Sequence, residues 1–330
     1  MQRWLMQHIA KSGIRDHLVK LPLQYFRKDF WNTAAMHLRK SLQFSLVVAT
    51  LNDEGELESC LASMVDLEGS PAFEVIVVDQ NEDNHLANVV NRFANQLDIL
   101  HIRVDFVGAS RARNVGAHAA RGEWVGFPDD DCIFFPDTLL EVERLACDTS
   151  LQVITGQTVD ESGAPNVLRW KSERTSFDRW NMFGCLTEAT LFIRRDVFLQ
   201  IKGFDEYFGP GAAFPAAEGV DLMNRLFTEF GNVGACYSPC IRMRHPTKIP
   251  PWNRWAVRRF YQYARGDGAL IAKSLQVHVL NWGGRTAASA ILQMLTLQGW
   301  RSAAFAARLV GLIQGFISGI FTFRLKLRRR

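Results

Sequence analysis

Three consecutive aspartates, Asp129, Asp130 and Asp131, directly follow an apolar run that includes Trp124 and Phe127. Adjacent like charges repel one another, so another group must offset them. Mg²⁺ and Mn²⁺ prefer oxygen ligands, and they often use one or two carboxylates together with phosphate oxygens of a substrate. The triplet therefore predicts a divalent-cation site that accepts a diphosphate. A solvated acidic turn or helix N-cap is the alternative interpretation, because aspartate is common at both.

Short apolar runs that alternate with helical patterns must position this triplet. The runs predict strands over residues 44–50, 73–79, 99–106 and 123–128, and helices over 54–66, 84–97 and 110–121. Such an alternation predicts βαβ units and a Rossmann-like, mostly parallel sheet flanked by helices. Ligands of these sheets bind beyond the carboxyl ends of the strands. Thr50, Asp79 and the aspartates fall at those ends, so we expect them to line one crevice.

The second half of the chain continues this pattern and then changes in composition. Further strands are predicted near residues 151–156, 187–193 and 235–243, with a helix over 217–230. After Pro250 and Pro251 the chain becomes basic and aromatic, and a helix is predicted over 252–274. These observations predict three parts: a basic helical N-terminal extension (1–42), an α/β domain (43–250) and a helical C-terminal region (251–330). The α/β domain is expected to divide into halves at 43–135 and 136–250.

The C-terminal region is expected to associate with a membrane. Of two apolar segments in residues 285–323, the second, 303–323, is about as long as a membrane span. Gly311, Gly315 and Gly319 form a face that permits close helix packing, and a basic flank follows at 324–330. An interfacial amphipathic hairpin is the preferred interpretation. A full span, a helix packed on the domain and a dimer helix are the alternatives.

Charge and cysteine content limit the partners and the compartment. The net charge is +4, but residues 1–40 carry eight Lys or Arg against two Asp, and the last seven residues carry five more basic side chains. An acidic body with basic ends favours an anionic lipid surface, and we expect no nucleic-acid partner because no such motif accompanies the charge. None of the six cysteines forms a Cys-x-x-Cys pair, which indicates reduced thiols and no zinc site. No uninterrupted apolar core of signal-peptide length lies at the N-terminus, so export is not expected.

Residues 44–246 resemble the family 2 glycosyltransferases of bacterial polysaccharide and glycolipid synthesis, which have the GT-A fold. Several short motifs with plausible spacing carry the resemblance, and they come in the order of the family. The motifs are residues 47–52 with Glu54, 77–81 with Asp83, 111–116 followed by 121–123, 127–131, 201–206, and 217–222 with Arg225. Each motif is weak alone, but their common order makes the resemblance specific.

The resemblance implies that a sugar moves from a nucleoside diphosphate sugar to an acceptor hydroxyl, with Mn²⁺ or Mg²⁺ bound at an Asp-x-Asp motif. The residues implied to bind the nucleotide sugar are Thr50, Asn52, Glu54, Asp79, Arg113, Asp129 and Asp130. The implied metal ligands are Asp131, which is expected to coordinate directly, Asp129 and His245. Arg113 is expected to brace the site; a surface arginine on a helix is the alternative.

An inverting transfer needs a carboxylate that acts as a base on the acceptor. Glu218 and Asp221 lie three residues apart on a predicted helix and share a face. The family usually has two successive acidic residues followed by a third two positions later, and the second is often assigned as the base. This chain has Gly219 at that position. Glu218 is therefore the first candidate for the base and Asp221 the second.

Other activities fit the sequence less well. An Asp-x-Asp phosphatase would carry Thr or Val where Ile133 stands, and a nucleotidyltransferase would have a glycine-rich loop in place of residues 51–53. An NAD-linked enzyme would show Gly-x-Gly-x-x-Gly after the first strand. A catalytically impaired nucleotide-sugar-binding scaffold remains an alternative because of Gly219.

The basic and apolar ends of the chain predict a peripheral or monotopic protein at the cytoplasmic face of the inner (plasma) membrane. A saccharide or lipid-linked acceptor fits this position, and a homodimer is a further expectation. The sequence does not identify the sugar, the nucleotide or the acceptor.

Overall fold

The structure is a computed structural model that describes residues 42–51, 54–67, 69, 71–231, 233–247, 249 and 251–325. The predicted N-terminal extension and Asn52 lie outside these residues, apart from Leu42 at the end of the extension.

Nine strands form one sheet in the described part of the chain. They are β1 (Phe44–Thr50), β2 (Phe73–Asp79), β3 (Ile99–Arg103), β4 (Trp124–Gly126), β5 (Ile133–Phe134), β6 (Leu151–Val159), β7 (Thr175–Ser176), β8 (Leu191–Arg194) and β9 (Gly234–Arg244). Their order is β3-β2-β1-β4-β8-β6-β9-β5, and β7 pairs with β9.

The sheet is mixed but mostly parallel, as the sequence predicts. The strand pairs β1–β2, β2–β3, β1–β4 and β6–β9 are parallel, whereas β8 is antiparallel to both of its neighbours. The short strands β5 and β7 pair antiparallel with β9. The predicted crossover rhythm therefore holds for the first half of the sheet, and β8 interrupts it in the second.

Nine α-helices are described along with the sheet. They are α1 (Glu54–Val65), α2 (Leu86–Phe93), α3 (Ala109–Ala119), α4 (Thr138–Ala146), α5 (Arg195–Gln200), α6 (Glu218–Glu229), α7 (Arg254–Ser274), α8 (Val277–Met294) and α9 (Trp300–Gly319). A π-helical turn, Ile320–Leu325, continues α9.

Alternation along the buried strands divides the core between the two faces of the sheet. Leu46 and Val48 of β1 join a cluster that includes Leu57 and Leu61 of α1. Val47, between them, joins the opposite cluster, which includes residues of α3 and α6. Because successive side chains of a strand point to opposite faces, β1 must be apolar on both sides, and this explains its unbroken apolar sequence.

Most predicted elements match the observed ones to within a few residues, and the exceptions have local causes. The strand predicted over 187–193 begins only at Leu191, because Glu188–Thr190 form a 3₁₀ turn. The strand predicted over 99–106 ends at Arg103, where Val104 N still donates to Asp79 O.

The three C-terminal helices form a compact unit in which the glycine face of α9 packs on α7. A Cβ added at Gly315 would lie 2.1 Å from the carbonyl oxygen of Arg265, and one at Gly311 would lie 2.4 Å from that of Tyr261. Only glycine allows this approach of two backbones. The predicted close-packing face therefore serves a contact within the chain.

Two polar residues that interrupt the apolar sequence of α9 find partners on α7. Arg308 lies 3.6 Å from Asp267, and Tyr261 donates a hydrogen bond to Gln314. The opposite side of α9 is apolar and exposed; Ile313 is 63% and Ile317 50% exposed. Among the described residues one helix, Trp300–Leu325, is long and apolar enough to cross a membrane, although a buried core helix can meet the same test.

Candidate active site

The carboxyl ends of the first strands bring three predicted site residues together. In the register of the sheet Thr50 pairs with Asp79, and Ala49 forms a parallel bridge with Asp129. The first aspartate of the triplet thus lies beside the end of β1, and Asp79 lies on its other side. The convergence expected from the strand ends is present in the structure.

Asp79 is fully buried and both of its carboxylate oxygens have partners. Oδ1 accepts hydrogen bonds from the backbone N (2.9 Å) and the side-chain Nδ2 (2.8 Å) of Asn81, and Oδ2 lies 3.0 Å from His101 Nε2. These contacts fix the loop after β2.

The three aspartates differ in their environments. Asp131 is 9% exposed, whereas Asp129 and Asp130 are half-buried. Burial raises the pKa of Asp130 to about 6; the Thr50 hydroxyl opposes this rise, and the neighbouring charges of Asp129 and Asp131 add to it. Burial, more than the repulsion expected from the sequence, therefore favours the protonated form of the middle carboxyl.

The outer two aspartates and His245 offer a ligand set that fits a divalent cation. Ligand atoms of Asp129, Asp131 and Cys132 all lie within 4.8 Å of one another. His245 Nε2 lies 3.5 Å from Asp131 Oδ1 and 3.9 Å from Asp129 Oδ2. Burial raises the pKa of the Cys132 thiol, which disfavours the thiolate that a metal would need. Two carboxylates and one imidazole remain, a set that suits Mn²⁺ or Mg²⁺.

Arg113 joins the aspartate triplet to the second predicted motif. It is 4% exposed on α3, and its Nη2 donates to Asp129 Oδ1 at 2.5 Å while Nη1 donates to Glu218 Oε1 at 3.2 Å. It is therefore a buried bridge, and the alternative of a surface arginine is excluded. A planar guanidinium can hold two carboxylates in fixed positions.

Glu218, the first residue of α6, lies in the most perturbed environment of the site. It is 5% exposed, and burial, with the charge of Glu188 as the next cause, raises its pKa to about 7; Arg113 opposes this rise. Gly209 lies against it, since a Cβ there would be 3.2 Å from Glu218 Oε1. A carboxyl with a pKa near neutrality is suited to proton transfer.

Asp221 is held by two cations and differs from Glu218 in this respect. Lys273 Nζ of α7 lies 2.5 Å from its Oδ1, and Arg225 Nε lies 2.8 Å from its Oδ2. Lys273 also contacts Asp205 at 2.7 Å. This buried network ties α6 to the C-terminal helices, and it leaves Asp221 less suited than Glu218 to accept a proton.

Three features of this site lie beyond the sequence prediction. Glu188 lies on the 3₁₀ turn before β8 and accepts a hydrogen bond from Gly219 N at 2.7 Å. Tyr263 of α7 is 41% exposed, and partial burial raises its pKa to about 12, while Arg259 opposes this rise. Lys273 completes the Asp221 network. No local pattern marks these residues, because each reaches the site from a distant element.

Two of the residues predicted to bind the nucleotide sugar lie apart from this cluster or outside the described residues. Glu54 is exposed at the start of α1. Asn52 lies outside the described residues. Their predicted contacts with a nucleotide remain predictions.

Comparison with known proteins identifies the family of the segment that holds most of this site. A family model described as glycosyl transferase family 2 matches residues 45–207, a segment that holds both the aspartate triplet and Glu188. Residues 45–207 belong to glycosyl transferase family 2. A segment of 89 residues is 35% identical to the hyaluronan synthase of Pasteurella multocida; it covers 26% of this chain and 9% of that protein. The first three curated relatives are matched over 9%, 34% and 36% of their lengths, so this chain spans much less than two thirds of each.

Solved structures extend the likeness beyond the family 2 segment to most of the chain. TarS of Staphylococcus aureus, residues 1–349 in complex with UDP-GlcNAc, superposes with a TM-score of 0.54 at 18% identity, over 87% of this chain and 85% of that one. A mannosyltransferase from Pyrobaculum calidifontis in complex with GDP-Man and Mn²⁺ gives 0.56 at 14% identity, over 84% and 87%. At these identities the likeness establishes the fold, which is GT-A.

Proposed function

We propose that this chain is a metal-dependent, inverting glycosyltransferase that moves a sugar from a nucleoside diphosphate sugar to an acceptor hydroxyl. The observation that carries the proposal is the bridge of Arg113 between Asp129 and Glu218. It joins a carboxylate cluster suited to a diphosphate and its metal to a second carboxylate suited to proton transfer. One reaction that needs both groups side by side is sugar transfer.

The donor half lies at the ends of β1, β2 and β4. Thr50, Glu54 and the loop ordered by Asp79 would contact the nucleoside, and Asp130 would contact the sugar. Asn52, which lies outside the described residues, is assigned to the nucleoside by its motif alone. Asp131, Asp129 and His245 would hold Mn²⁺ or Mg²⁺. Such an ion, when bound, supplies Lewis-acid stabilisation of the charge on the departing diphosphate. Arg113 fixes Asp129 so that this charge meets a preorganised site.

The acceptor half, residues 136–250, includes α6 and the turn before β8. The acceptor oxygen bonds to the anomeric carbon as the bond from that carbon to the diphosphate oxygen breaks, and the diphosphate keeps the electron pair. The proton of the acceptor hydroxyl passes to a carboxylate in this half. Glu218 is the first of the sequence candidates because Asp221 is paired with Lys273 and Arg225.

The position of the protein follows from its C-terminal helices. The polar residues of α9 are paired with α7, so the exposed side of α9 is free to enter the interfacial layer of a membrane. The basic ends would contact anionic headgroups at the cytoplasmic face of the inner (plasma) membrane. A lipid-linked acceptor in surface polysaccharide or glycolipid synthesis would meet the site there. A homodimer would need a surface other than the glycine face.

Thermal unfolding with nucleotides tests the donor site. UDP, GDP and dTDP are each added with Mn²⁺, Mg²⁺ or a chelator, to the wild type and to Asp131→Asn; Asp137→Asn, at an exposed aspartate paired with Arg242, is the matched control. A ligand at 100 times its dissociation constant stabilises the folded state by about 2.7 kcal/mol. We expect one nucleotide to raise the melting temperature only with metal, and Asp131→Asn alone to lose the effect.

The outcomes separate the competing activities. Metal-dependent binding of one nucleotide with turnover of its sugar supports the proposal. Binding without any turnover would identify a nucleotide-sugar-binding scaffold. No binding by any nucleotide would overturn the donor site, and release of inorganic phosphate from phosphate esters would then point to an Asp-x-Asp phosphatase.

A further inference from the structure

Glu188 occupies the space that a side chain at position 219 would need. A Cβ built on Gly219 would lie 2.2 Å from Glu188 Oε1 and 2.9 Å from its Cδ. Heavy atoms that are not bonded do not approach so closely, so the carboxylate of Glu188 fills the place of that missing side chain. The carboxylate comes from a turn 31 residues earlier in the chain.

The turn that carries Glu188 is fastened to the sheet on both sides. Thr190 Oγ1 donates to Gly156 O of β6 at 2.9 Å, and Phe127 N donates to Leu191 O at 3.3 Å. Gly219 N holds Glu188 Oε1 at 2.7 Å. The carboxylate is therefore positioned by the backbone of α6, at a location set by β6 and the residue that follows β4.

Glu188 and Glu218 are neighbouring carboxylates that differ in solvent exposure. Glu218 is enclosed by Arg113 and Gly209 and is 5% exposed, whereas Glu188 is half-buried. Among the described residues no hydrogen bond reaches Glu188 Oε2, since Gly219 N engages only Oε1. Glu188 is therefore the more accessible of the two carboxylates.

We propose that Glu188 is the general base of the transfer and takes the place of the carboxylate that Gly219 lacks, with Glu218 as a positioning residue beside it. The inference rests on the proposed function. Glu188 Oε2 accepts the proton of the acceptor hydroxyl. The hydroxyl oxygen bonds to the anomeric carbon as the bond between the sugar and the diphosphate breaks. Gly219 N holds Glu188, while Arg113 keeps the neighbouring Glu218 and Asp129 in fixed positions.

A set of four variants tests this assignment. Glu188→Gln keeps an oxygen that accepts from Gly219 N but removes the base. Glu188→Ala removes both functions. The double variant Glu188→Ala/Gly219→Asp places a carboxylate on α6, in the space vacated by Glu188. Glu229→Gln, at an exposed position of the same helix, is the charge-matched control.

The measurement is release of nucleoside diphosphate from UDP-GlcNAc, GDP-mannose and a dTDP-sugar, with Mn²⁺, by the full chain. Thermal shift with the matching nucleotide is recorded in parallel. We expect Glu188→Gln to melt and to bind nucleotide like the wild type but to lose about 100-fold or more in kcat, the usual contribution of a general base. The double variant should be at least about tenfold faster than Glu188→Ala, and Glu229→Gln should match the wild type.

Different contrary results would refute different claims. If Glu188→Gln keeps kcat within about threefold of a wild type that binds and turns over a donor, the proposed function stands and Glu188 is only a cap of α6. A double variant no faster than Glu188→Ala would overturn the substitution of Glu188 for a side chain at 219. If the wild type neither binds nor turns over any of the donors, the proposed function fails and the assignment of Glu188 fails with it.

Discussion

Arg113 Nη2 lies 2.5 Å from Asp129 Oδ1, within a buried ion pair between α3 and the loop after β4. The contact matters because one partner is shielded from water: the side chain of Arg113 is 5% exposed, whereas that of Asp129 is 32% exposed. A buried charge that loses its partner destabilises the folded state, so Arg113 and Asp129 must stay paired. The aspartate triplet and Glu218 are therefore joined by one guanidinium.

Removing that guanidinium should both destabilise the chain and inactivate it. We expect Arg113→Ala to lower the free energy of unfolding by about 3–5 kcal/mol, because Asp129 loses its partner and Glu218, whose pKa Arg113 holds down, must take up a proton. Arg113→Lys should recover only part of this loss, since an ammonium cannot span both carboxylates. Urea unfolding at neutral pH measures the difference.

Arg111→Ala is the matched control on the same helix. Its side chain is 51% exposed and lies 3.9 Å from Glu206, so we expect a cost below about 1 kcal/mol. Equal costs for Arg111→Ala and Arg113→Ala would contradict the bridging role of Arg113.

The buried carboxyl of Glu218 should make stability depend on pH. Its pKa rises from an ordinary value of 4.5 to about 7 in the folded chain, chiefly through burial. The folded state therefore holds the proton more tightly than the unfolded state, and stability that is present below pH 4.5 is lost as the pH rises through 7. A shift of this size corresponds to about 3 kcal/mol.

Glu218→Gln isolates this contribution from that of Asp130, whose raised pKa acts in the same direction. The variant should show a flatter dependence of unfolding free energy on pH between about 4 and 8, with its largest gain over the wild type at the alkaline end. Urea melts at several pH values measure it. Parallel curves for the two proteins would show that Glu218 titrates normally.

The contact between α7 and α9 should not tolerate a methyl group. A Cβ at Gly315 would lie 2.1 Å from Arg265 O and 2.7 Å from Arg265 Cα, and backbone atoms cannot yield as a side chain can. We expect Gly315→Ala to destabilise the chain by about 1–3 kcal/mol. Thermal or urea unfolding detects the change.

Gly284→Ala is the opposite case in the neighbouring helix α8. Nothing lies within 4 Å of its Cβ position, so the substitution should stabilise the helix by about 0.5–1 kcal/mol. If both alanine variants shift stability in the same direction, the close approach of α7 and α9 is not what requires Gly315.

The exposed side of α9 should control membrane binding. Ile313 and Ile317 lie four residues apart, and at least half of each side chain is exposed. Burial of each side chain in lipid is favourable by about 2 kcal/mol. The double variant Ile313→Asp/Ile317→Asp should reduce co-sedimentation with anionic phospholipid vesicles by at least about tenfold. Its melting temperature should be unchanged, because neither side chain is in the core.

Val167→Asp serves as the control for this experiment. Val167 is 58% exposed in the α/β domain and has a φ of 65°, a conformation that aspartate accepts better than valine. Vesicle binding should be retained. Binding that survives the α9 double variant would place the membrane contact elsewhere or exclude it.

Local patterns in the sequence were sufficient to predict most of the sheet and its flanking helices. Short apolar runs and helical periodicity are local properties, so β1, β2, α3 and α7 are predicted to within two residues at each end. The aspartate triplet was also readable, because three adjacent charges after a buried strand need an external partner. The 3₁₀ turn that holds Glu188 was read as strand, since its apolar neighbours resemble the start of β8.

The sequence alone determined the α/β class, the order of the motifs and the strand ends at which Thr50, Asp79 and Asp129 lie, because parallel strands bring their carboxyl ends to one edge. The tertiary structure decided which charges meet. Asp221 is paired by Lys273 from α7, Asp129 and Glu218 share Arg113, and Glu188 enters the space beside Gly219. These residues are 16 to 105 positions apart, and contacts over such distances depend on how whole elements pack, which no local periodicity encodes.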